Sequence, residues 1–178
     1  MVIYKRTSIE DELLQILELQ KRNLSESLSR QEKYTEGFVT VSHSLDQLRK
    51  MHQVCPHIIA KDKDKDKVIG YALCMHPRFA EIIAVLRPMF QEIKTVLSEG
   101  EKYMVMGQIC IDKAYRKKGV FRKLYQTMKS TLFPDYPTII TEVDTENQRS
   151  LEAHYAVGFK DLKKYRSVDQ EWQLILLK

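Results

Sequence analysis

Residues 103–133 constrain the fold most, because a strand-like run, a basic loop and an amphipathic helix follow one another directly. The run YMVMGQICI at 103–111 is apolar enough to be a buried strand, and the basic loop behind it contains Gly119. The pattern beyond this glycine predicts a helix at about 120–133 with one apolar stripe: Phe121, Leu124, Tyr125, Met128 and Leu132. Since such a stripe packs against a sheet, the segment predicts a strand–loop–helix unit in a layered domain of helices and strands.

The loop before the predicted helix has the composition of an anion site. The first amides of a helix have no partner inside it and lie at the positive end of its dipole, so they suit a phosphate group. Gly119 would let the backbone close tightly and approach a ligand, and Arg116, Lys117 and Lys118 beside it would steer and clamp the anion. The loop alone leaves two interpretations open, a phosphate-binding cradle and a solvated basic turn.

Strand-like and helix-like patterns alternate along the rest of the chain. The predicted strands lie at 2–6, 57–60, 68–75, 103–111 and 138–143, followed by two closing strands, FKDLKKYRS and EWQLILLK, joined near Asp169. The predicted helices begin at Ser8 (capping box with Asp11) and at Ser44 (with Gln47), and others cover 79–97, about 120–133 and about 147–157. Pro88 is expected to break or kink the third of these helices. Residues 25–37 are predicted to be a loop, and KDKDKDK the solvated tip of an antiparallel hairpin.

Composition limits the class of protein. The chain has 178 residues, 43% of them apolar and 30% charged, which predicts one soluble domain spanning residues 1–178. No apolar run reaches the roughly 20 residues of a membrane span, and the N-terminus does not resemble a signal peptide. The cysteines Cys55, Cys74 and Cys110 fit neither a disulfide framework nor a zinc signature, so a reducing cytoplasm and no metal site are expected. A net charge of +5 permits nucleic-acid binding, but no nucleic-acid motif accompanies it.

A second cluster follows the strand at 138–143. In DTENQRSLEAHYAVGFK, at 144–160, Asn147 or Thr145 can cap a helix, and Gly158 suits the left-handed position just past the helix end. Phe159 then returns the chain to the core. By itself this pattern is explained by a capped helix with a buried aromatic edge and requires no function.

The two clusters together resemble the motifs of the GNAT superfamily of acetyl-CoA-dependent N-acetyltransferases. The family's cofactor motif, Q/R-x-x-G-x-G/A, corresponds to the segment from Arg116 to Phe121. Its later motif corresponds to Asn147, Ser150, His154 or Tyr155, and Gly158-Phe159. The order of predicted elements is also similar over essentially the whole chain. The sequence departs from the family pattern in two ways: Phe121 stands where glycine or alanine is usual, and His154 stands where the family often has a general-acid tyrosine.

The resemblance implies an α/β (α+β) fold, with a mixed, mostly antiparallel central sheet flanked by helices and splayed between its central strands. It also implies acetyl-CoA as co-substrate, with the pyrophosphate on amides of residues 117–121 and the pantetheine arm along the strand that ends near Ile111. Gly107 would allow the bend that the splay requires. The cofactor-binding residues implied are Ile109, Cys110, Ile111, Arg116, Lys117, Lys118, Gly119, Val120, Phe121, Asn147 and Ser150. The amide of Ile109 or Cys110 would stabilise the oxyanion.

The implied activity is transfer of an acetyl group to a primary amine by direct attack in a ternary complex. His154 and Tyr155 are alternative general acids, and Glu142 and Asp112 are candidate bases acting through water. Cys110 is not expected to be a nucleophile, because no base is evident beside it. Two other functions stay open, a catalytically weak CoA- or acyl-CoA-binding module and a nucleic-acid-binding protein. The acceptor amine and a homodimer are left undecided; no nucleic acid or membrane partner is expected. Candidate acceptor-cleft residues are His43, Tyr34, His76, Arg78 and Glu81.

Overall fold

The computed structural model describes residues 1–178, apart from the side chains of Tyr34 and Glu36, and within this range seven strands form one sheet. The strands are β1 (Val2–Arg6), β2 (Ile58–Asp62), β3 (Lys67–Met75), β4 (Tyr103–Ile111), β5 (Thr138–Asp144), β6 (Lys160–Ser167) and β7 (Gln170–Leu177). Their order across the sheet is β1-β2-β3-β4-β5-β7-β6. All neighbours are antiparallel except β4 and β5, which are parallel. The mixed, mostly antiparallel sheet that the resemblance implied is therefore confirmed.

The sheet splits between β4 and β5. These strands pair only over their first residues, Tyr103–Val105 with Thr138–Ile140. Beyond Val105, β4 stays paired with β3 as far as Ile111, while β5 stays paired with β7 as far as Asp144. Each strand thus follows its other neighbour, and a wedge opens between them. This confirms the predicted splay between the central strands.

A β-bulge in β4 lies where the wedge begins. Ala72 of β3 pairs with Ile109, but Cys74, two residues on, pairs with Met106, so β4 carries one extra residue in this interval. The interval contains Gly107 and Gln108, and Gly107 is the residue at which the sequence predicts a bend. A bulge bends its strand and leaves backbone groups unpaired, so it helps to turn β4 away from β5.

Helices cover both faces of the sheet. They are α1 (Glu10–Lys21), α2 (Arg30–Glu36), α3 (Leu45–Val54), α4 (Arg87–Val96), α5 (Val120–Leu132) and α6 (Gln148–Tyr155). Short 3-10 turns occupy Ser25–Ser27, Pro77–Glu81, Ala84–Leu86 and Lys113–Tyr115. One apolar core lies under α1, α3 and α4, and a second lies under α5 and α6. None of the described helices is long and apolar enough to span a membrane.

Most predicted elements are confirmed, including the β2–β3 hairpin and the capping box between Ser44 and Gln47 at the start of α3. The hairpin tip is tied to the loop behind β4, since the Tyr115 hydroxyl donates to Asp62 at 2.5 Å and Lys67 pairs with Asp112 at 2.9 Å. The expected break at 79–97 also occurs: two 3-10 turns precede α4, and Pro88 stands in its first turn, where a missing amide costs nothing.

Two local predictions were wrong. The Ser8–Asp11 capping box does not form, because the Ser8 amide donates instead to the buried carboxylate of Glu12, which Lys5 holds at 2.6 Å. Residues 25–37 are not a plain loop but contain α2, which begins with a capping box between Ser29 and Glu32. That S-x-x-E pattern was visible in the sequence, but the polar composition around it hid the helix.

Candidate active site

A cleft of about 500 Å³ lies beside the wedge, on the α5 and α6 side of the sheet. Five parts of the chain form it: the segment just after α1, segment 37–39 after α2, the end of β4, the loop into α5 with its first turn, and α6 with the two residues that follow it. Its lining residues are Asn23, Gly37, Phe38, Val39, Ile109, Cys110, Ile111, Tyr115, Arg116, Lys117, Gly119, Val120, Phe121, Arg122, Arg149, Ser150, Glu152, Ala153, Ala156 and Val157. Most of the cofactor-binding residues predicted from the sequence are therefore brought together in one cleft.

The start of α5 forms the floor of the cleft. Gly119 is the N-cap residue in the left-handed conformation, with φ +77°, and Lys117 before it also has a positive φ of 59°. Among the described side chains, none caps the first amides of α5, so these donors are available to a ligand. A Cβ on Gly119 would meet no atom within 4 Å, so the glycine leaves open space at the point where an anion would approach. The helix start has the form of an anion cradle.

The three cations of the loop have different surroundings. The guanidinium of Arg116 donates to the carbonyl of Ile111 at 3.0 Å and to Oδ1 of Asn23 at 2.7 Å, so it braces the loop against the end of β4 and the chain after α1. The Nζ atom of Lys118 donates to the Ala114 carbonyl at 2.9 Å, and Lys118 does not line the cleft. Lys117 is exposed and lines the cleft. Arg116 and Lys118 therefore make hydrogen bonds within the protein, and Lys117 is the cation of the three whose described surroundings include no such contact.

Phe121 is accommodated because its ring turns toward the core under α5 and α6. The ring packs edge-to-face against Tyr125 and His154, with centroids 5.2 Å and 5.1 Å away. These rings and Phe159 form an aromatic cluster that joins α5 to α6. The bulky residue thus leaves the backbone at the helix start undisturbed, although the family motif usually has a small residue at this position.

A smaller pocket of about 70 Å³ lies in the wedge itself. It shares Phe38, Val39, Ile109 and Ser150 with the large cleft, so the two cavities adjoin across the split. Its other lining residues are Thr40, Val41, Met106, Gly107, Gln108, Thr141, Glu142, Val143, Asp144, Asn147, His154 and Trp172. We call the large cleft the wide end of the site and the small pocket its narrow end; the bulge residues Gly107 and Gln108 line the narrow end.

Glu142 is the acidic residue of this pocket with a perturbed pKa. It lies on β5, and the Tyr165 hydroxyl of β6 donates a hydrogen bond to its Oε2 atom. Burial raises the pKa of Glu142 to about 7, although the hydrogen bond from Tyr165 opposes the rise. A carboxyl group with such a pKa can gain and lose a proton near neutral pH, as a general base must.

His154 is buried, with only 1% of its surface exposed, and both ring nitrogens have partners. Nδ1 lies 2.7 Å from the Ser150 carbonyl oxygen, so it carries the proton, and Nε2 accepts from the Tyr125 hydroxyl at 2.8 Å. Burial lowers the pKa of His154 to about 4, so the ring is neutral at pH 7. His154 touches the small pocket, but in this arrangement its nitrogens stabilise the junction of α5 and α6.

Tyr155, the alternative acid, lies one residue further around α6 and is 42% exposed. Its hydroxyl donates to Oδ1 of Asp161 at 2.6 Å, and this hydrogen bond raises the pKa of Tyr155 to about 12. Tyr155 lines neither cavity. In the described contacts, the ring nitrogens of His154 and the hydroxyl of Tyr155 all have hydrogen-bond partners within the protein. The choice between the two residues as the general acid stays a prediction.

Asn147 and Ser150 lie at the start of α6. Oδ1 of Asn147 accepts from the Ser150 amide at 3.2 Å and so caps the helix, while Nδ2 donates to the Phe38 carbonyl at 3.1 Å. Asn147 therefore fastens the segment 37–39 over the wedge. Ser150 touches both cavities, where the cofactor arm was expected.

Cys110 lies on β4 and borders the large cleft, but its side chain is buried in the core under α1, α3 and α4. Burial raises the pKa of Cys110 to about 12, which keeps the thiol protonated at neutral pH. This agrees with the expectation that Cys110 is not a nucleophile. Among the described residues, no cluster of three or more His, Cys, Asp or Glu side chains is arranged to hold a metal ion.

Sequence reasoning missed a buried polar network beside the small pocket. Gln108, at the β4 bulge, accepts from the Tyr71 hydroxyl at 2.6 Å and from Gln20 at 2.7 Å, and donates to the Val41 carbonyl at 2.7 Å. Gln20 in turn binds both the backbone amide and Nδ1 of His43. The network holds residues 41–43 against the sheet. Its signal in the sequence was a lone glutamine inside the apolar run YMVMGQICI.

The other expected acceptor-cleft residues are distributed differently. His43 belongs to the polar network and is buried, while the side chain of Tyr34 lies outside the described part of the structure. His76, Arg78 and Glu81 line neither cavity. The ring of His76 packs against Tyr136, which precedes β5, so His76 lies at the closed end of the split. These three residues therefore lie away from both cavities, since the strands part at the other end, and their place at an acceptor cleft stays a prediction.

A mixed, mostly antiparallel sheet that splits between its two parallel central strands, flanked by helices, is the architecture of an acyl-CoA-dependent acetyltransferase. Residues 13–159 match the model of the Acetyltransferase (GNAT) family, and the chain belongs to this family. No significant match is found among curated protein sequences.

Solved structures support the fold. A mosquito arylalkylamine N-acetyltransferase-like protein 5b is similar with a TM-score of 0.69 at 16% identity, over 99% of each chain. A chain of the NatC complex bound to Gag peptide and CoA has a TM-score of 0.68 at 17% identity, over 99% of this chain and 97% of that one. The ribosomal-protein-S18-alanine N-acetyltransferase of Escherichia coli has a TM-score of 0.64 at 13% identity, over 99% and 93%. At these identities the likeness concerns the fold alone.

Proposed function

We propose that the protein is an acetyl-CoA-dependent N-acetyltransferase that acetylates a primary amine by direct attack in a ternary complex. The observation that carries this proposal is the pair of adjoining cavities at the β4–β5 split, which share four lining residues. The wide end has free helix-start amides and cations, and the narrow end has the Glu142 carboxyl. Such a pair of cavities would hold an anionic thioester and an amine on opposite sides of the same carbonyl carbon.

The wide end fits acetyl-CoA. The pyrophosphate would bind the amides of residues 117–121, where Gly119 leaves room and Lys117 adds positive charge. Backbone groups of β4 from Ile109 to Ile111 pair with β3 on one side only, which would leave the wedge side free to pair with the pantetheine arm as an added strand. The amide of Ile109 or Cys110, next to the bulge, would donate to the oxyanion as it forms.

Glu142 is proposed as the base. The amine binds as an ammonium ion, Glu142 removes a proton, and the nitrogen then attacks the thioester carbonyl. The tetrahedral intermediate collapses by breaking the C–S bond; the nitrogen gives up its second proton as the amide forms, and one proton must reach the departing thiolate. A carboxyl with a pKa of about 7 is matched to the first step, because it is substantially ionised at pH 7 and can still hold the proton it receives.

The acid for the thiolate stays assigned to His154 or Tyr155, with the two tested against each other. His154→Gln and Tyr155→Phe are to be compared by pH–rate profile. If the alkaline limb of the pH–rate profile, which reports the general acid, is lost in only one of the two variants, the residue replaced in that variant is the acid. If neither substitution lowers turnover by more than a few-fold, both assignments are wrong, and the proton would come from solvent or from the amine itself.

Calorimetry with acetyl-CoA, followed by a free-thiol release assay over a panel of amines, tests the proposed function. We expect micromolar binding and amine-dependent release of CoA thiol. Glu142→Gln should bind acetyl-CoA normally and lose amine-dependent turnover, and Glu171→Gln, which changes an exposed carboxylate on β7, is the matched control. Absence of acetyl-CoA binding would refute the proposal.

A second function is supported by the contacts of the two candidate acids. Because the nitrogens of His154 and the hydroxyl of Tyr155 are already hydrogen-bonded, the fold could serve as a CoA- or acyl-CoA-binding module with little catalysis. Tight acetyl-CoA binding without thiol release for any amine would favour that module. Cytoplasmic location and a homodimer stay predictions, to be checked by cell fractionation and by sedimentation.

A further inference from the structure

The two ends of the site carry charges of opposite sign. Four cationic side chains and one carboxylate line the wide end: Arg116, Lys117, Arg122, Arg149 and Glu152. The narrow pocket is lined by two carboxyl side chains, Glu142 and Asp144, and among its described lining residues there is no lysine or arginine. His154, the remaining titratable residue there, is held neutral between Ser150 and Tyr125. The narrow pocket therefore favours a positive ligand and disfavours a negative one.

The carboxyl groups of the pocket differ in how much of their hydrogen-bonding capacity is used. Asp144 accepts from the amide of Glu146 at 2.9 Å and from Gln170 at 2.5 Å, so it shapes the turn after β5. Glu142 receives a hydrogen bond on Oε2 from Tyr165, and among the described contacts Oε1 has no donor. Glu142 thus keeps a carboxylate oxygen for a ligand, and the negative charge of Asp144 stands beside it.

The pocket also has an apolar and aromatic wall. Phe38 and Trp172 are partly exposed rings at its wall, and Val41, Met106 and Val143 supply aliphatic surface. An ammonium group gains from a carboxylate and from aromatic faces, and the carbons attached to it gain from apolar contact. A carboxylate on the carbon next to the nitrogen would find neither a cation nor an apolar match there.

We infer that the acceptor is a small primary amine on an apolar stem, alkyl or aryl, with no carboxylate on the carbon that bears the nitrogen. The inference rests on the proposed function and adds the substrate class to it. The ammonium group pairs with Glu142, and the stem lies against Phe38 and Trp172. Free amino acids are excluded because their α-carboxylate would enter a pocket that already holds two acidic groups. Like charges placed side by side are strongly disfavoured in such a site.

Three probes with one common stem separate charge from size. Phenethylamine has the apolar stem alone, phenylalanine adds an α-carboxylate, and phenylalaninamide adds a neutral group of similar size. In the thiol-release assay we expect kcat/KM for phenethylamine to exceed that for phenylalanine by at least about 100-fold. Phenylalaninamide should stay within about tenfold of phenethylamine, because it lacks the negative charge. A tetrapeptide with a free N-terminus completes the panel.

Binding to the complex with CoA supplies a readout that does not need catalysis. Calorimetry should show phenethylamine binding about tenfold more weakly to Glu142→Gln than to the wild type, since a charge-assisted contact is lost, and unchanged to the control Glu171→Gln. Equal binding to Glu142→Gln and the wild type would overturn the ion pair and with it the inference.

The outcomes separate the inference from the proposed function. Phenylalanine turned over within threefold of phenethylamine, or the tetrapeptide preferred over it, would overturn the substrate class while the acetyltransferase activity stands. Rejection of both phenylalanine and phenylalaninamide would show exclusion by size, and would also overturn the argument from charge. Failure of acetyl-CoA to bind at all would refute the proposed function, and the inference would fall with it.

Discussion

Replacing Glu142 with glutamine is expected to stabilise the protein and, at the same time, to abolish amine-dependent acetyl transfer. The folded state raises the pKa of this carboxyl from 4.5 to about 7, chiefly through burial. The folded protein therefore holds a proton that the unfolded chain releases between these two pH values. The stability that this proton supplies is complete below pH 4.5 and is lost as the pH rises through 7.

The size of the effect follows from the shift. The interval between 4.5 and about 7 corresponds to about 3 kcal/mol of free energy of unfolding at pH 8. Since the carboxyl borders a pocket that admits water, about 2–3 kcal/mol is the expected gain for Glu142→Gln, or roughly 5–10 °C in Tm. At pH 5 the wild-type carboxyl is already mostly protonated, so the gain should fall below about 1 kcal/mol.

Urea unfolding of the wild type, Glu142→Gln and the control Glu171→Gln at pH 5 and pH 8 measures this prediction. Glu171 is an exposed residue of β7 that pairs with Lys164 at 3.4 Å, so its replacement should change stability little at either pH. A Glu142→Gln variant that is less stable than the wild type at pH 8, or equally affected at both pH values, would refute the reasoning. Residues that support function at the expense of stability are common in active sites, and such a trade-off is expected for Glu142.

Three further predictions concern the cradle and the buried histidines. Gly119→Ala places a side chain at φ +77°, which should cost about 1–2 kcal/mol of stability and weaken acetyl-CoA binding about tenfold by calorimetry. His154→Gln removes the acceptor of the Tyr125 hydroxyl and should destabilise the protein by about 1–3 kcal/mol in urea. Burial lowers the pKa of His43 and His154 from 6.5 to about 4, and that of His57 to about 3. The stability that the neutral rings supply above pH 6.5 should therefore be lost as the pH falls, by about 2 kcal/mol for each histidine at pH 5.

Each of these predictions has its own control. Gly100 also has a positive φ of 83° and open space around it, so Gly100→Ala should lose similar stability without any change in acetyl-CoA affinity. Equal affinity loss in both glycine variants would contradict the cradle. Tyr155→Phe, at an exposed neighbour of His154, should leave stability nearly unchanged. The acid titration is best read in Glu142→Gln, which removes the opposing contribution of that carboxyl, and a stability constant from pH 7 to pH 5 would contradict the histidine argument.

Much of the fold could be predicted from local patterns. The strand at 103–111, the Ser44 capping box and the β2–β3 hairpin each depend on residues close together in the chain, so their signals are visible in the sequence. The two errors were also local. At Ser8 the backbone amide donates to Glu12, four residues on, so the capping box with Asp11 does not form. At Ser29 a true capping box was obscured by the polar composition around it.

The sequence predicted which positions belong to the candidate site, but it did not predict the contacts that these side chains make. Gly119 and Ser150 lie at the cleft, since their motifs identify the start of a helix. The surroundings of Arg116 depend on Asn23, 93 residues away in the chain, and no local pattern carries that contact. The role of Gln108 likewise depends on Gln20 and Val41, which reach it from other elements.

The sequence by itself determined the order of the elements, the loop with Gly119 at the start of α5 and the family motifs, because hydrophobic period and turn chemistry act over a few residues. Only the tertiary structure decided where protons reside. It buried His154 between two elements and made it neutral, and it set Glu142 in the wedge with a pKa near 7. Protonation depends on desolvation and on neighbouring charges, and folding alone brings those groups together.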